Sequence, residues 1–308
     1  MKQLVIFIIL LFIFAGCVED FDLKLQNADP RLVVEGWITN KPGPYYILLT
    51  KSKIGAFATP DQSYFNNAEL VKDALVVISD DSGQIDTLKF IQANDNSDSK
   101  DKWFHGYYKT SKLIGIPSHT YFLKIKVWGR EFNASSYMPP VPEIDSLRYS
   151  MKTAEKDGTQ YYVPLINFKE PQGIENYYLV QLKNEFSPYL VVNSAIWQYS
   201  IFSDIHMNPY VSNLNINLGN NPRGITYRIF QEGDSIYAAL SSLTKEGYNY
   251  YKTLLEQFEN DGGAYKPTPV SPPGNISNGG LGLFRASAVS EKRTKIPRVS
   301  NTTSLPMN

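Results

Sequence analysis

Cys17 carries the only thiol in this chain of 308 residues. A disulfide needs two cysteines, and thiolate metal sites are built from several such ligands. A single thiol can still serve as a nucleophile or accept a covalent group. If Cys17 is acylated, no thiol remains, and disulfides, a cysteine nucleophile and thiolate metal sites are all excluded.

The residues in front of Cys17 have the order of a secretory signal. Lys2 precedes an unbroken apolar run from Leu4 to Ala15. This run has the length of a signal-peptide core, whereas a helix that crosses a bilayer needs about 20 apolar residues. We predict that residues 1–16 are a signal peptide that is removed.

The residues just before Cys17 indicate how its thiol is modified. Phe14, Ala15 and Gly16 resemble the lipobox of bacterial lipoproteins, in which a large apolar residue and two small ones precede the cysteine. Phe14 stands where Leu is more usual. The resemblance implies that Cys17 takes the lipid and holds the chain to an envelope membrane. The alternatives are a secretory signal with an incidental cysteine and a buried N-terminal strand.

Three acidic residues follow within a linker of residues 17–27, namely Glu19, Asp20 and Asp22. This cluster resembles the export signal that sends some Bacteroidota lipoproteins to the outer face of the outer membrane. We therefore expect an outer-membrane protein that faces the cell surface. The alternative is a solvated linker on an anchor that faces the periplasm.

The net charge of the chain and the spacing of its histidines argue against nucleic-acid and metal ligands. Lys plus Arg equals Asp plus Glu, at 30 each, so the chain has no overall field that would attract nucleic acid. His105, His119 and His206 are scattered, without the spacing that gathers a metal. We predict no nucleic-acid partner, no metal and no cofactor.

The motifs of common catalytic sites are missing from the sequence. There is no G-x-S-x-G elbow, no P-loop and no G-x-G-x-x-G after a strand. Asp80 with Asp81, or Glu259 with Asp261, could in principle perform acid–base work, but neighbours in a turn rarely face one cleft. We predict a protein without catalytic residues, and a hydrolase with an unrecognised site is the least favoured alternative.

Short β-type segments separated by turn residues predict a mainly β protein. The chain contains 21 Tyr and 16 Phe, which suit a pleated, half-buried surface. The segment from Tyr121 to Trp128 alternates apolar and polar residues, as a strand with one wet face does. We predict an immunoglobulin-like β-sandwich over residues 28–138, which ends at the proline-rich stretch Met138–Pro142.

Residues 139–290 are predicted to form a second β-rich domain with one amphipathic helix near residues 244–260. Thr244 can cap this helix, and Tyr248, Tyr251, Leu255 and Phe258 recur at helical spacing, which indicates a face packed in the core. Residues 291–308 are predicted to be a flexible tail.

Four aromatic residues are candidates for contact with a ligand. Trp103, Tyr107, Tyr108 and Trp128 lie within the first predicted domain. We expect them to form a solvent-facing surface for a glycan or a peptide. Buried indole rings would count against this interpretation.

The mature chain resembles, by its overall pattern, a Bacteroidota lipoprotein family known as domain-of-unknown-function family 4249. The resemblance rests on Cys17 with its acidic followers, Arg31–Ser52, the Met138–Pro142 boundary and the closing segment Asn275–Phe284. An extra Pro-Pro-Gly, residues 272–274, interrupts the usual approach to that segment. The resemblance implies a non-catalytic accessory of a TonB-dependent outer-membrane receptor. A stand-alone glycan- or peptide-binding module is the alternative.

Overall fold

A computed structural model describes residues 29–52, 69–92, 106–153, 158–183, 199–205, 207, 209–215, 230–259 and 271–298 of the chain. Within these ranges the protein is mainly β, with fifteen strands and one helix, which confirms the predicted fold class. The first sheet contains β1 (Leu32–Thr39), β2 (Tyr46–Lys51), β3 (Leu75–Asp80), β4 (Ile85–Gln92), β5 (Gly106–Lys109), β6 (Thr120–Val127), β7 (Arg130–Tyr137) and β14 (Leu281–Ser287). The remaining elements are β8 (Ile144–Thr153), β9 (Gln160–Lys169), β10 (Tyr177–Lys183), β11 (Tyr199–Ser203), β12 (Tyr210–Asn215), β13 (Ser235–Leu243), α1 (Lys245–Glu259) and β15 (Val289–Lys295).

The first sheet has eight strands in the order β14-β1-β2-β5-β4-β3-β6-β7. Its inward side chains form one core, because alternate residues of each strand point to opposite faces. On β6, Tyr121 and Leu123 are almost fully buried while Phe122 is exposed, as the alternation predicts. The core continues around the sheet through Val34, Ile47, Ile78, Phe132 and Phe284.

The two ends of this sheet meet and nearly close it. The backbone N–H of Ala286 in β14 donates to Ser136 Oγ in β7 at 2.9 Å. Asn275 Nδ2 donates to Ser135 O in β7 at 2.9 Å and to Phe284 O in β14 at 2.8 Å. We call this junction the seam. Side chains therefore supply much of the polar contact between β7 and β14.

Strand β14 belongs to the first sheet, although the predicted domain boundary placed it in the second domain. It lies within residues 139–290, which we assigned to the second domain, yet it pairs in parallel with β1 of the first sheet. Gly282 makes this pairing possible, since a Cβ at that position would collide with the carbonyl of Val34. A parallel pair formed by distant segments leaves no local turn signal, so strand periodicity could not reveal it.

The second part of the chain is a sandwich of two smaller sheets. One sheet has the order β12-β9-β8 and the other the order β11-β10-β13-β15. Ile166, Phe168, Val180, Ile236 and Leu240 are fully buried, and they belong to the core between these sheets.

Helix α1 follows β13 and covers the outer face of the four-stranded sheet. The N–H of Gly247 donates to Thr244 Oγ1 at 3.1 Å, so Thr244 caps the helix as predicted. Tyr248, Tyr251 and Leu255 pack against a buried cluster that includes Leu243, which confirms these three members of the predicted core-facing stripe. The side chain of Phe258, the fourth member, lies outside the described part of the chain. Among the described residues, no helix is long and apolar enough to cross a membrane.

The flexible tail was predicted to begin at residue 291, but the chain is still folded there. Residues 291–295 lie in β15, which pairs with β13, and Ile296 is fully buried in the second core. This strand lies at the edge of its sheet and is mostly polar, so it lacks the apolar alternation that marks a strand in sequence. Main-chain pairing and the buried side chains of Val289 and Ile296 hold it instead.

Candidate functional site

Most of the predicted site residues lie outside the described ranges. These are Cys17, the recognition residues Phe14, Ala15 and Gly16, the acidic residues Glu19, Asp20 and Asp22, and Trp103. Their roles stay predictions.

Tyr108 is not a surface residue, which corrects the predicted aromatic surface. It is only 2% exposed, its ring packs edge-to-face on Phe90, and its hydroxyl oxygen accepts the N–H of Ala74 at 2.8 Å. Tyr107 and Tyr108 are neighbours in β5, and neighbours in a strand point to opposite faces. Only one of the two could face solvent.

Tyr107 and Trp128 lie at different places on the sheet. Tyr107 makes an edge-to-face contact with Tyr46, at the start of β2. Trp128 is 41% exposed, and Lys51 Nζ, at the end of β2, lies 5.7 Å from the centre of its ring. The five strand steps from Tyr46 to Lys51 span about 17 Å. The structure therefore does not bring these two aromatics together as one binding surface.

An open groove runs over the outer face of β3, β6 and β7 beside the seam, with a volume of about 670 Å³. We call it the seam groove. Ile85, Ser79, Phe122 and Ser135 are cross-strand partners in succession and form one row along its floor. Cross-strand neighbours lie about 5 Å apart, so this row is about 15 Å long. Its length suits an extended or ring-shaped ligand.

The floor of the seam groove mixes apolar and hydrogen-bonding groups. Ile85 and Phe122 are 59% and 42% exposed, although large apolar side chains are usually covered. Ser79 and Ser135 lie on either side of Phe122 in this row, and Asn133 lies in the next row. An apolar platform with a few polar groups is the composition of many ligand sites, and the volume lies in their range.

Only part of the seam groove can be predicted from the sequence. Phe122 is an aromatic residue on the face of β6 that otherwise carries Lys124 and Lys126. An apolar residue on a polar face predicts a contact, but nothing in the sequence shows that Ile85 is its neighbour two strands away. The pairing order of β4, β3 and β6 creates that neighbourhood.

A second concentration of unusual polar groups lies under helix α1. Glu35 projects from the outer face of β1, and its Oε2 is buried without a hydrogen-bond partner among the described residues. Burial raises the pKa of Glu35 to about 7. Burial, and then the charge of Glu35, raise the pKa of Tyr250 in α1. A carboxyl group with this pKa is neutral over the acidic range and charged above neutrality.

Arg285 is also buried under helix α1. It lies on β14, opposite Trp37 of β1, and is only 8% exposed. Its guanidinium lies 5.5 Å from the ring centre of Tyr251, which provides a cation–π contact. Its Nε and Nη1 atoms have no hydrogen-bond partner within the described ranges. The helix therefore covers both a buried acid and a buried cation.

Two carboxylates of the second sandwich share one amide. Asn176 Nδ2 donates to Glu170 Oε1 at 2.9 Å and to Asp204 Oδ2 at 3.3 Å. The backbone N–H of Asn176 also donates to Asp204 Oδ2, at 2.9 Å. Tyr178 Oη also donates to Glu170 at 2.9 Å, and burial raises the pKa of Glu170. Glu170 is 2% exposed and does not line the seam groove. The bonds tie three strand ends together.

The neighbouring acids Asp80 and Asp81 serve different turns. Asp80 Oδ1 accepts the N–H groups of Ser82 and Gln84 at 3.0 and 2.8 Å. Asp81 contacts His119 Nδ1 at 2.6 Å and accepts the N–H of Thr120, and these bonds lower its pKa, the Thr120 bond most. His105 and His206 are outside the described residues. Within the described part of the chain, no three His, Cys, Asp or Glu residues are grouped to hold a metal.

Comparison with known protein families identifies the family of this chain. Residues 18–293 match the family described as a domain of unknown function (DUF4249), and the protein therefore belongs to that family. No curated protein matches it.

Proposed function

We propose that this protein is an outer-membrane lipoprotein that assists a TonB-dependent nutrient uptake system without catalysing a reaction. Cys17 provides the anchor after residues 1–16 are removed, and Glu19, Asp20 and Asp22 direct the chain to the cell surface. The protein captures a ligand or contacts the receptor. The order of residues around Cys17 supports the anchor, because it combines a short apolar core with small residues at the cut.

The single observation that carries the binding role is the exposed pair Phe122 and Ile85 in the seam groove. Each leaves a large apolar surface in water, at 42% and 59% exposure, on either side of Ser79. Exposed apolar groups gathered in a groove mark contact sites for ligands or proteins. Burying them in a complex removes this area from water and drives association.

Affinity purification from outer membranes tests the receptor role. The tagged full chain is expected to recover a TonB-dependent receptor, and the double variant Ile85→Ser/Phe122→Ser is expected to recover at least about fivefold less. A matched control is Met151→Ser/Ile174→Ser, since these residues are 55% and 61% exposed but lie in the second sandwich. Recovery without any TonB-dependent receptor contradicts the transporter role.

A stand-alone glycan- or peptide-binding module is the second candidate. The specific observation in its favour is the position of Phe122 between Ser79 and Ser135, a set that could stack on a sugar ring and hydrogen-bond its hydroxyl groups. Screening the full chain and Phe122→Ala against immobilised glycans and peptides tests it. A ligand lost with Phe122→Ala, with no receptor in the affinity purification, favours this candidate.

A further inference from the structure

A second groove of about 620 Å³ lies at the end of the first sheet and has positively charged walls. Its lysines are Lys89 on β4, Lys109 on β5 and Lys112 in the loop that follows, and all three are exposed. We call it the lysine groove. It shares no lining residue with the seam groove.

Two of these lysines stand directly opposite each other. Lys89 and Lys109 are cross-strand partners of the antiparallel pair β4–β5, so their side chains leave the same face about 5 Å apart. Like charges in this position destabilise a strand pair. No ion pair within the described part of the chain engages either lysine. An anion placed between them would convert the repulsion into attraction.

Among the described residues, the carboxylate that contacts the groove wall is Asp86, and its hydrogen bonds hold the wall itself. Asp86 is 2% exposed and accepts the N–H groups of Ser111, Lys112 and Leu113 at 2.9, 2.8 and 3.1 Å. Burial alone would raise the pKa of Asp86, but these bonds and one from the Ser111 hydroxyl outweigh it and lower the pKa. Hydrogen bonds therefore hold the wall in place, and among the described residues its three ammonium groups outnumber the carboxylate of Asp86.

The lysine groove also has an apolar part. Ile91 and Ile114 line it and are 39% and 50% exposed. An occupant that satisfies both parts has separated anionic groups beside an apolar surface.

We infer that the lysine groove binds a solute that carries two or more anionic groups beside an apolar portion. This inference does not rest on the proposed role in uptake, because it concerns another surface and another chemistry.

Calorimetric titration of the full chain in a neutral detergent tests the inference, with naphthalene disulfonate as the probe. Neutral naphthalene dimethanol has a similar ring and shows what charge contributes. The variant Lys89→Gln/Lys109→Gln is expected to bind the disulfonate about tenfold more weakly. The control Lys124→Gln/Lys126→Gln removes two exposed lysines on β6, both near Glu131, and is expected to bind within about twofold of the native chain. Salt is expected to weaken binding of the disulfonate.

Thermal unfolding without any ligand provides an independent reading. Lys89→Gln/Lys109→Gln is expected to melt no lower than the native chain, since it removes a repulsion between exposed groups. A lower melting temperature contradicts the inferred repulsion.

Equal binding of the disulfonate by the native chain and this variant, or no binding at all, overturns the inference. So does lysine-dependent binding to phosphatidylglycerol vesicles without binding of the disulfonate, which would assign the groove to a membrane.

Discussion

The side chain of Asn275 forms both backbone hydrogen bonds of Phe284: its Oδ1 accepts the N–H at 3.0 Å and its Nδ2 donates to the carbonyl at 2.8 Å. The same amide donates to Ser135 on β7. Asn275 is thus a polar link between β7 and β14 at the seam, beside the bond from Ala286 to Ser136. The closing segment that suggested the family in sequence is the segment that closes the first sheet in the structure.

Replacing Asn275 with Ala should therefore destabilise the protein by about 1–3 kcal/mol, because the backbone groups of Phe284 lose their partners in a largely buried strand. Urea denaturation measures the change. The matched control is Asn133→Ala, an exposed residue whose side chain bonds only to Glu131 in the described structure. An effect of Asn275→Ala no larger than that of the control would contradict the role of the seam amide.

Glu35 should make stability depend on pH. Its folded pKa of about 7 lies above its ordinary value of 4.5, so the neutral form is favoured by folding. The contribution is fully present below about pH 4.5 and is lost as pH rises through about 7. Glu35→Gln should flatten this fall and stabilise the protein at pH 8 by up to about 3 kcal/mol.

The measurement is the free energy of unfolding across this pH window for the native chain and Glu35→Gln. Glu131→Gln is a suitable control, since Glu131 is on the surface and its pKa is lowered, first by a hydrogen bond from Asn133. Parallel curves for the native chain and Glu35→Gln would show that Glu35 is not held neutral under α1.

Gly282 should tolerate no side chain. Its φ is +92°, and a Cβ would also collide with the backbone of Val34. Gly83 has nearly the same φ, +91°, in open space. Gly83→Ala should cost about 1–2 kcal/mol from backbone strain alone, and Gly282→Ala should cost clearly more. Equal melting temperatures for the two variants would contradict the close approach of β1 and β14.

Ile296 tests whether the chain is folded beyond residue 290. It is fully buried in the second core, so Ile296→Ala should cost about 2–5 kcal/mol. A frayed tail would give no loss. Thermal unfolding of the variant decides between them, with the exposed neighbour Lys295→Ala as the control.

The sequence predicted the features that are encoded locally. The alternation in β6 and the stripe of Tyr248, Tyr251 and Leu255 each record a burial pattern within one element. The features it did not predict depend on pairing between distant segments: β14 beside β1, the row that joins Ile85 to Phe122, and the opposition of Lys89 and Lys109. Tyr108 was assigned to the surface because no strand was predicted at Gly106–Lys109, so the alternation that buries Tyr108 was not recognised.

The anchor at Cys17 is tested most directly by mass spectrometry of the N-terminal peptide of the protein purified from membranes. The proposed function predicts a mature chain that begins at Cys17, with acyl chains on that residue, and a Cys17→Ser variant that keeps its signal peptide or leaves the membrane. A mature chain that begins elsewhere, or an unmodified Cys17 in membrane-bound protein, would contradict it.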